Sequence, residues 1–324
     1  HVAAMCGHND AVQVLLDAKA TVDGRDGKDW TPVHTAAANG HLDVVKVLID
    51  AKADIDARSH DASTPLLIAA MDGHSSVVKM LIDAKAQVDG KDDNGWTPLH
   101  TAAQFGHSDT VQTLLDAKAA VNSKTNTGDT PLSCAAEYGP VVVVQMLIDA
   151  NAAVDVKNEY GKTPLHAATM HNRSATVQVL VDAKADVDAK DYRGCTPLSW
   201  AAGYGQTDTV NVLVNAKAQV NDRDDSGYTA LYHVADYGQN VPIQALLEAK
   251  ANVDLKANDG STALHAAAKN GYSSTVRLLM DAHATVDVED AANLTPLQVA
   301  AANGKVRVIR ALLEHQYFRD HRAS

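Results

Sequence analysis

The side chains able to do chemistry in this 324-residue chain are fifteen histidines, three cysteines and forty carboxylates, and their spacing decides what that chemistry could be. Cys6, Cys134 and Cys195 lie far apart, odd in number and outside any metal-binding spacing. Such cysteines read as reduced thiols in a cytoplasmic setting. His34, His100, His166 and His265 recur in one register and His41, His74 and His107 in another. Side chains that keep a repeat's period belong to its framework, so these imidazoles are expected to bond to neighbouring loops rather than to a metal. His171 and His233 fall outside both registers but have no cysteine or carboxylate at ligand spacing. The stretch Asp222-Arg223-Asp224-Asp225-Ser226-Gly227 opens like a calcium loop, yet its twelfth position is His233, where a bidentate glutamate is required. No phosphate-cradling glycine loop, nucleophile elbow or HExxH pair occurs. The expectation is no catalytic residue, no metal and no cofactor, in a chain that is not an enzyme.

The elements that carry these residues follow from a period of 33: threonine recurs at Thr31, Thr64, Thr97, Thr130, Thr163, Thr196, Thr229, Thr262 and Thr295. Seven of these precede proline and two precede alanine (Ala230 and Ala263). A partial unit comes before them, since His1-Val2-Ala3-Ala4 aligns with His34-Thr35-Ala36-Ala37. In the unit 92–124, Thr97 is suited to cap a helix with its side-chain oxygen. Pro98 falls at the first helical position, where a missing N–H costs nothing. Ala102 and Ala103 leave room for a neighbouring helix, and Gly106 ends this one in the left-handed conformation that other residues resist. A second helix follows, with Val111, Leu114 and Leu115 on one face. Asp92 to Gly95 is turn chemistry. One such unit cannot bury its apolar face alone, so stability must come from stacking.

With T-P-L-H, the following Ala-Ala, Gly-His, V-x-x-L-L and A-x-V-D/N all in register, the chain resembles the ankyrin repeat family over essentially its whole length. The resemblance implies an all-α solenoid in which each unit is a loop or β-hairpin finger plus two antiparallel helices. It implies a partial repeat at 1–25, full repeats at 26–58, 59–91, 92–124, 125–157, 158–190, 191–223, 224–256 and 257–289, and a C-terminal capping repeat with a polar, basic tail at 290–324, in one continuous repeat domain. Where the family places glycine after the second helix, this chain has Lys19, Lys52, Lys85, Lys118, Asn151, Lys184, Lys217, Lys250 and His283. Duplication of one variant explains that pattern, with a functional lysine bank as the alternative. Asn172 likewise replaces a loop glycine, and the sequons at Asn172 and Asn293 read as turn substitutions.

Composition narrows the function further. Aromatic residues are 4% of the chain against 46% hydrophobic residues overall, so the core must be built from Ala, Leu, Val and Ile. A net charge of −12 and a pI near 5.6 argue against a nucleic-acid partner, whose backbone calls for excess cations. No apolar run approaches the ~18 residues needed to insert into a membrane. His1 is not an initiator methionine, and the chain is expected to be a segment of a longer polypeptide, monomeric when isolated.

Binding in a repeat array must come from positions the fold does not need. These are the sites four, three and one before each threonine and seven and eight after it, which by the resemblance line the concave face. Trp30, Trp96, Phe105, Tyr138, Tyr160, Tyr192, Tyr204, Tyr228 and Tyr237 fall there, nine of the fourteen aromatics, with Trp200 and Tyr232 nearby on the first helix. Asp61, Asp72, Asp93, Asp129, Glu137, Glu159, Asp225, Asp236 and Asp259 outnumber Lys28, Lys162, Arg193 and Lys269 on the same sites, nine to four. Exposed Trp and Tyr are frequent hot spots, and rings among carboxylates suit Arg or Lys. The expectation is an interaction scaffold holding a basic protein segment along Trp96 to Tyr237, with Asp129, Glu137 and Asp236 supplying charge. One alternative is an array that packs on or regulates its own larger polypeptide, such as a kinase, channel or immune receptor. A remote one is an enzyme whose groove unites perturbed carboxylates such as Glu137 and Asp236.

Overall fold

A computed structural model describes residues 1–322, with side-chain burial and contacts for 1–315. Of the polar, basic tail expected from Glu314 to His321, all but Glu314 and His315 lies outside the residues whose side chains are described. The chain divides into two compact units, His1–Glu159 and Tyr160–Ser324, built on the same plan.

The plan is clear in unit 1. Thr97 sits in extended backbone at the cap of Pro98–Phe105, and its N–H donates to Nδ1 of His100 at 3.2 Å, closing a capping box. Gly106 ends the helix at φ 78°, and Ser108–Asp116 runs back against it. Leu66, Leu99 and Leu132 of the first helices and Leu48, Leu81, Leu114 and Leu147 of the second are fully buried. In unit 2 the same positions hold Leu165, Leu198, Leu231, Leu180 and Leu213, also fully buried. Among the described residues the buried apolar core contains no Phe, Tyr or Trp.

Stacking is reinforced by bonds that recur with the repeat. Asp56, Asp89 and Asn122 each accept the backbone N–H lying 31 residues on, those of Gln87, Ala120 and Ala153, at 2.8–2.9 Å. The D/N of the A-x-V-D/N motif is thus a splice between repeats. Of the loop or β-hairpin expected for each finger the structure has the loop, because no strand forms among the described residues. Neighbouring fingers share one backbone bond, as from Asp93 N to Asp61 O at 3.0 Å, too few for a ladder.

Lys19, Lys52, Lys85 and Lys118 all adopt the left-handed conformation, with φ of 64–76°. Lys118 N bonds to Leu115 O and Ala119 N to Leu114 O, the two bonds of a Schellman ending. A β-carbon in that region costs ~1–2 kcal/mol, while glycine forfeits ~0.5–1 kcal/mol of chain entropy. Lys118→Gly is therefore expected to stabilise unit 1 by about 0.5–1 kcal/mol in urea unfolding. No gain would assign the offset to the lysine's interaction with the helix end. Asn172 and Asn293 are left-handed as well, at φ 54° and 57°, as turn substitutions require. Among the described residues no helix is long and apolar enough to cross a membrane.

Candidate partner-binding site

The framework histidines frame the face on which the variable residues sit. His34 Nε2 lies 3.1 Å from Ser63 O and His100 Nε2 3.1 Å from Asp129 O, each reaching the next finger. His41, His74 and His107 reach the opposite way, to Met5, Ala38 and Met71 carbonyls at 2.9–3.1 Å. Burial holds His34 and His265 below the ordinary imidazole range and lowers His100 to about 4. Cations in the finger stems are similarly engaged: Arg25 donates to Arg58 O at 2.7 Å and Lys91 to Lys124 O at 2.7 Å.

In unit 1, Trp30, Trp96 and Phe105 line one cavity of about 300 Å³ together with Asp61 and Asp92. Trp30 lies 6.0 Å from the His34 ring and Trp96 5.8 Å from that of His100, both tilted against a buried imidazole. A hydrogen bond from Ser59 holds the Asp61 carboxyl below the usual carboxylate range and keeps it anionic. One oxygen of Asp92 is occupied by the N–H groups of Asn94 and Trp96, at 2.9 and 2.8 Å. Tyr138 and its neighbour Glu137 do not line this cavity. Asp129 is spoken for within the fingers, accepting from Asn158 at 2.9 Å and from Thr127 at 2.8 Å.

In unit 2, Trp200, Tyr204 and Tyr237 line a cavity of about 330 Å³ with Arg193. Trp200 stacks on Tyr204 at 5.6 Å, and the Lys162 ammonium sits 5.1 Å from the Trp200 ring and 6.0 Å from that of Tyr160. Tyr192 stands exposed at its finger tip. Tyr228 is half-buried in a 4.0 Å stack on Tyr232, whose hydroxyl meets Ser261 Oγ at 3.1 Å. Tyr232 thereby takes the place of the histidine that bridges fingers at His34, His100, His166 and His265. Asp236 accepts from Asn270 at 2.9 Å. Phe105, Tyr138, Tyr160, Tyr192, Tyr204 and Tyr237 each leave between 50% and 68% of their surface to solvent.

One expectation about the chemistry-bearing residues, that His233 has no ligand-like partner, needs correction. Cys134 and Cys195 are only 5% and 7% exposed, and of the two Cys195 lines the unit 2 cavity. Burial pushes both thiols up, that of Cys195 to about 12. His233 does have ligand-like neighbours: Asp224 Oδ2 lies 3.1 Å from its Nε2 and 3.8 Å from Cys195 Sγ. Pairwise spacing along the chain hid the group because Cys195 belongs to the preceding repeat. Counting positions from each threonine, one before Thr196 and four after Thr229, would have aligned it.

A family model described as ankyrin repeats (3 copies) matches residues 1–61, 52–125, 117–191, 183–257 and 238–322. No curated protein matches the chain.

Proposed function

The chain belongs to the ankyrin-repeat family, and on that premise we propose that it binds a protein partner of basic character through the finger and first-helix faces of its units. Ankyrin repeats are generally protein–protein interaction modules, so binding of some protein is the coarse expectation and the face and charge are the finer one. One observation carries the finer part: Trp30, Trp96, Phe105, Asp61 and Asp92 converge on a single cavity in unit 1. Among the described residues the buried apolar core contains no aromatic ring, so the core does not require these rings, which supports a binding role for them. A guanidinium or ammonium entering there meets ring faces and a carboxylate that stays ionised, each adding roughly 0.5–2 kcal/mol. Unit 2 offers no such seat, since Arg193 lines its cavity. Trp200, Tyr204 and Tyr237 supply apolar contact there, the kind of cluster that dominates binding energy.

Fluorescence-polarisation titration of an arginine-rich peptide against a glutamate-rich one of equal length tests this. The arginine peptide is expected to bind, weakening as salt rises. Phe105→Ala and Asp61→Asn are each expected to weaken it about ten-fold, the 1.4 kcal/mol scale of one hot-spot contact. Equal binding of both peptides, or indifference to both substitutions, overturns the reading.

A further inference from the structure

We propose that Cys195, Asp224 and His233 form a three-ligand site for a divalent ion of the zinc class, with its fourth position open to the unit 2 cavity. The inference stands apart from partner binding and rests on the geometry of those three side chains. Their ligand atoms all lie within 4.8 Å of one another, and among the described residues this is the one group of that kind. An ion with Zn–S near 2.3 Å and Zn–N or Zn–O near 2.0–2.1 Å holds tetrahedral ligand atoms about 3.3–3.6 Å apart. Two of the three edges, 3.1 Å from His233 Nε2 to Asp224 Oδ2 and 3.8 Å from Cys195 Sγ to the same oxygen, bracket that range, and the third lies within 4.8 Å.

The ligands are also held in place by their own repeats. Asp224 Oδ1 accepts the N–H groups of Ser226 and Tyr228, both at 2.9 Å, which leaves Oδ2 to the cluster. Its side chain is only 7% exposed. The Cys195 N–H donates to Asp191 Oδ1 at 3.0 Å, fixing the backbone behind the thiol. The Tyr228 ring meets the imidazole of His233 edge-on, with centroids 5.9 Å apart. In the preceding repeat the equivalent pair is Trp200 Nε1 and Asp191 Oδ2, at 3.1 Å. The array therefore uses the second oxygen of this framework aspartate as an acceptor, and at Asp224 a thiol and an imidazole converge on it.

The donor set selects the ion. One sulfur, one nitrogen and one oxygen suit zinc, whereas calcium and magnesium take oxygen ligands almost exclusively. Cysteine binds as the thiolate and releases its proton to water, so thiolate and carboxylate together balance the ion's two charges. Cys195 and His233 both line the cavity of about 330 Å³, which leaves room for water or a donor from a docked protein at the fourth position. Bound this way, the ion clamps the repeat carrying Cys195 to the one carrying Asp224 and His233.

The test uses the intact chain stripped of metal and titrated with Co²⁺ and Zn²⁺. Expected are one equivalent bound, a thiolate-to-cobalt charge-transfer band, and a rise in the Tm of unit 2 with Zn²⁺. Cys195→Ser and His233→Ala are expected to weaken binding on the order of 100-fold, beyond what loss of an outer-shell partner causes. Both variants install residues the array already carries at those sites, Ser63 and Ser261 for the first, Ala167 and Ala266 for the second, so the fold has precedent for each. Cys6→Ser, which removes the exposed thiol, is expected to bind as the wild type does. No charge-transfer band in the wild type, or a Cys195→Ser protein that binds equally well, overturns the site. In that case the three side chains are a hydrogen-bonded network closed on itself.

Discussion

His100→Ala is expected to destabilise unit 1 by about 3–5 kcal/mol, more than any surface substitution in the array. The imidazole is wholly buried and joins two repeats. Its Nδ1 takes the Thr97 N–H at 3.2 Å, which obliges the proton to sit on Nε2, and Nε2–H then donates to Asp129 O at 3.1 Å. Alanine strands a buried N–H and a carbonyl facing it, each costing about 1–3 kcal/mol, and leaves a ring-sized void. His100→Gln separates the two contributions. In the repeat near the C-terminus Gln298 already performs the capping half of the task, accepting Thr295 N–H at 2.8 Å. Glutamine is thus expected to recover about 1–2 kcal/mol, so that urea midpoints fall in the order wild type, glutamine, alanine. Should alanine cost less than about 1 kcal/mol, the bridge is not what ties these repeats.

Acid should act on the same residue. His100 is held near 4 in the folded chain by burial against an ordinary value of 6.5, and His34 is lowered for the same reason. Lowered folded values mean that the unfolded chain takes up the proton first as pH falls. The stability contributed by the neutral imidazole is therefore complete above about 6.5 and drains away down to the folded value, at up to about 1.4 kcal/mol per pH unit for each histidine. For His100 the window runs from 6.5 to about 4 and amounts to roughly 3 kcal/mol. The structural reason is direct, because a protonated ring would set an N–H against the Thr97 N–H. Urea midpoints measured from pH 7 to 4.5 are expected to fall more steeply for the wild type than for His100→Gln. Parallel curves would mean that other groups govern the acid limb.

Much of the array was legible from residue order alone. Thr97, Pro98, Gly106 and the leucines at 99 and 114 act through local geometry: a cap, a preset φ, a left-handed stop and one helix face. Each of these depends on neighbours within about four residues. Residue order marked Lys118 as a departure from the family's glycine, and the structure supplied its left-handed conformation. The period of 33 does the rest, since stacking identical units gives each position the same surroundings. The period likewise marked the aromatic sites as free of framework duty.

Which of those aromatics face solvent was decided only by tertiary packing. Trp30 and Trp96 lean on buried histidines, Tyr228 stacks on Tyr232, while Phe105 and Tyr204 stand open. Asp129 is occupied by Asn158, 29 residues on, which its own neighbourhood does not reveal. The Cys195–Asp224–His233 group is hidden for the same reason. In a solenoid the partners that matter sit about one repeat away, at separations of 29, 31 and 33. Residue order by itself determined the framework of this protein, because caps, stops and apolar stripes are local. Its surface chemistry was decided by the stack, because side chains there are completed by the next repeat.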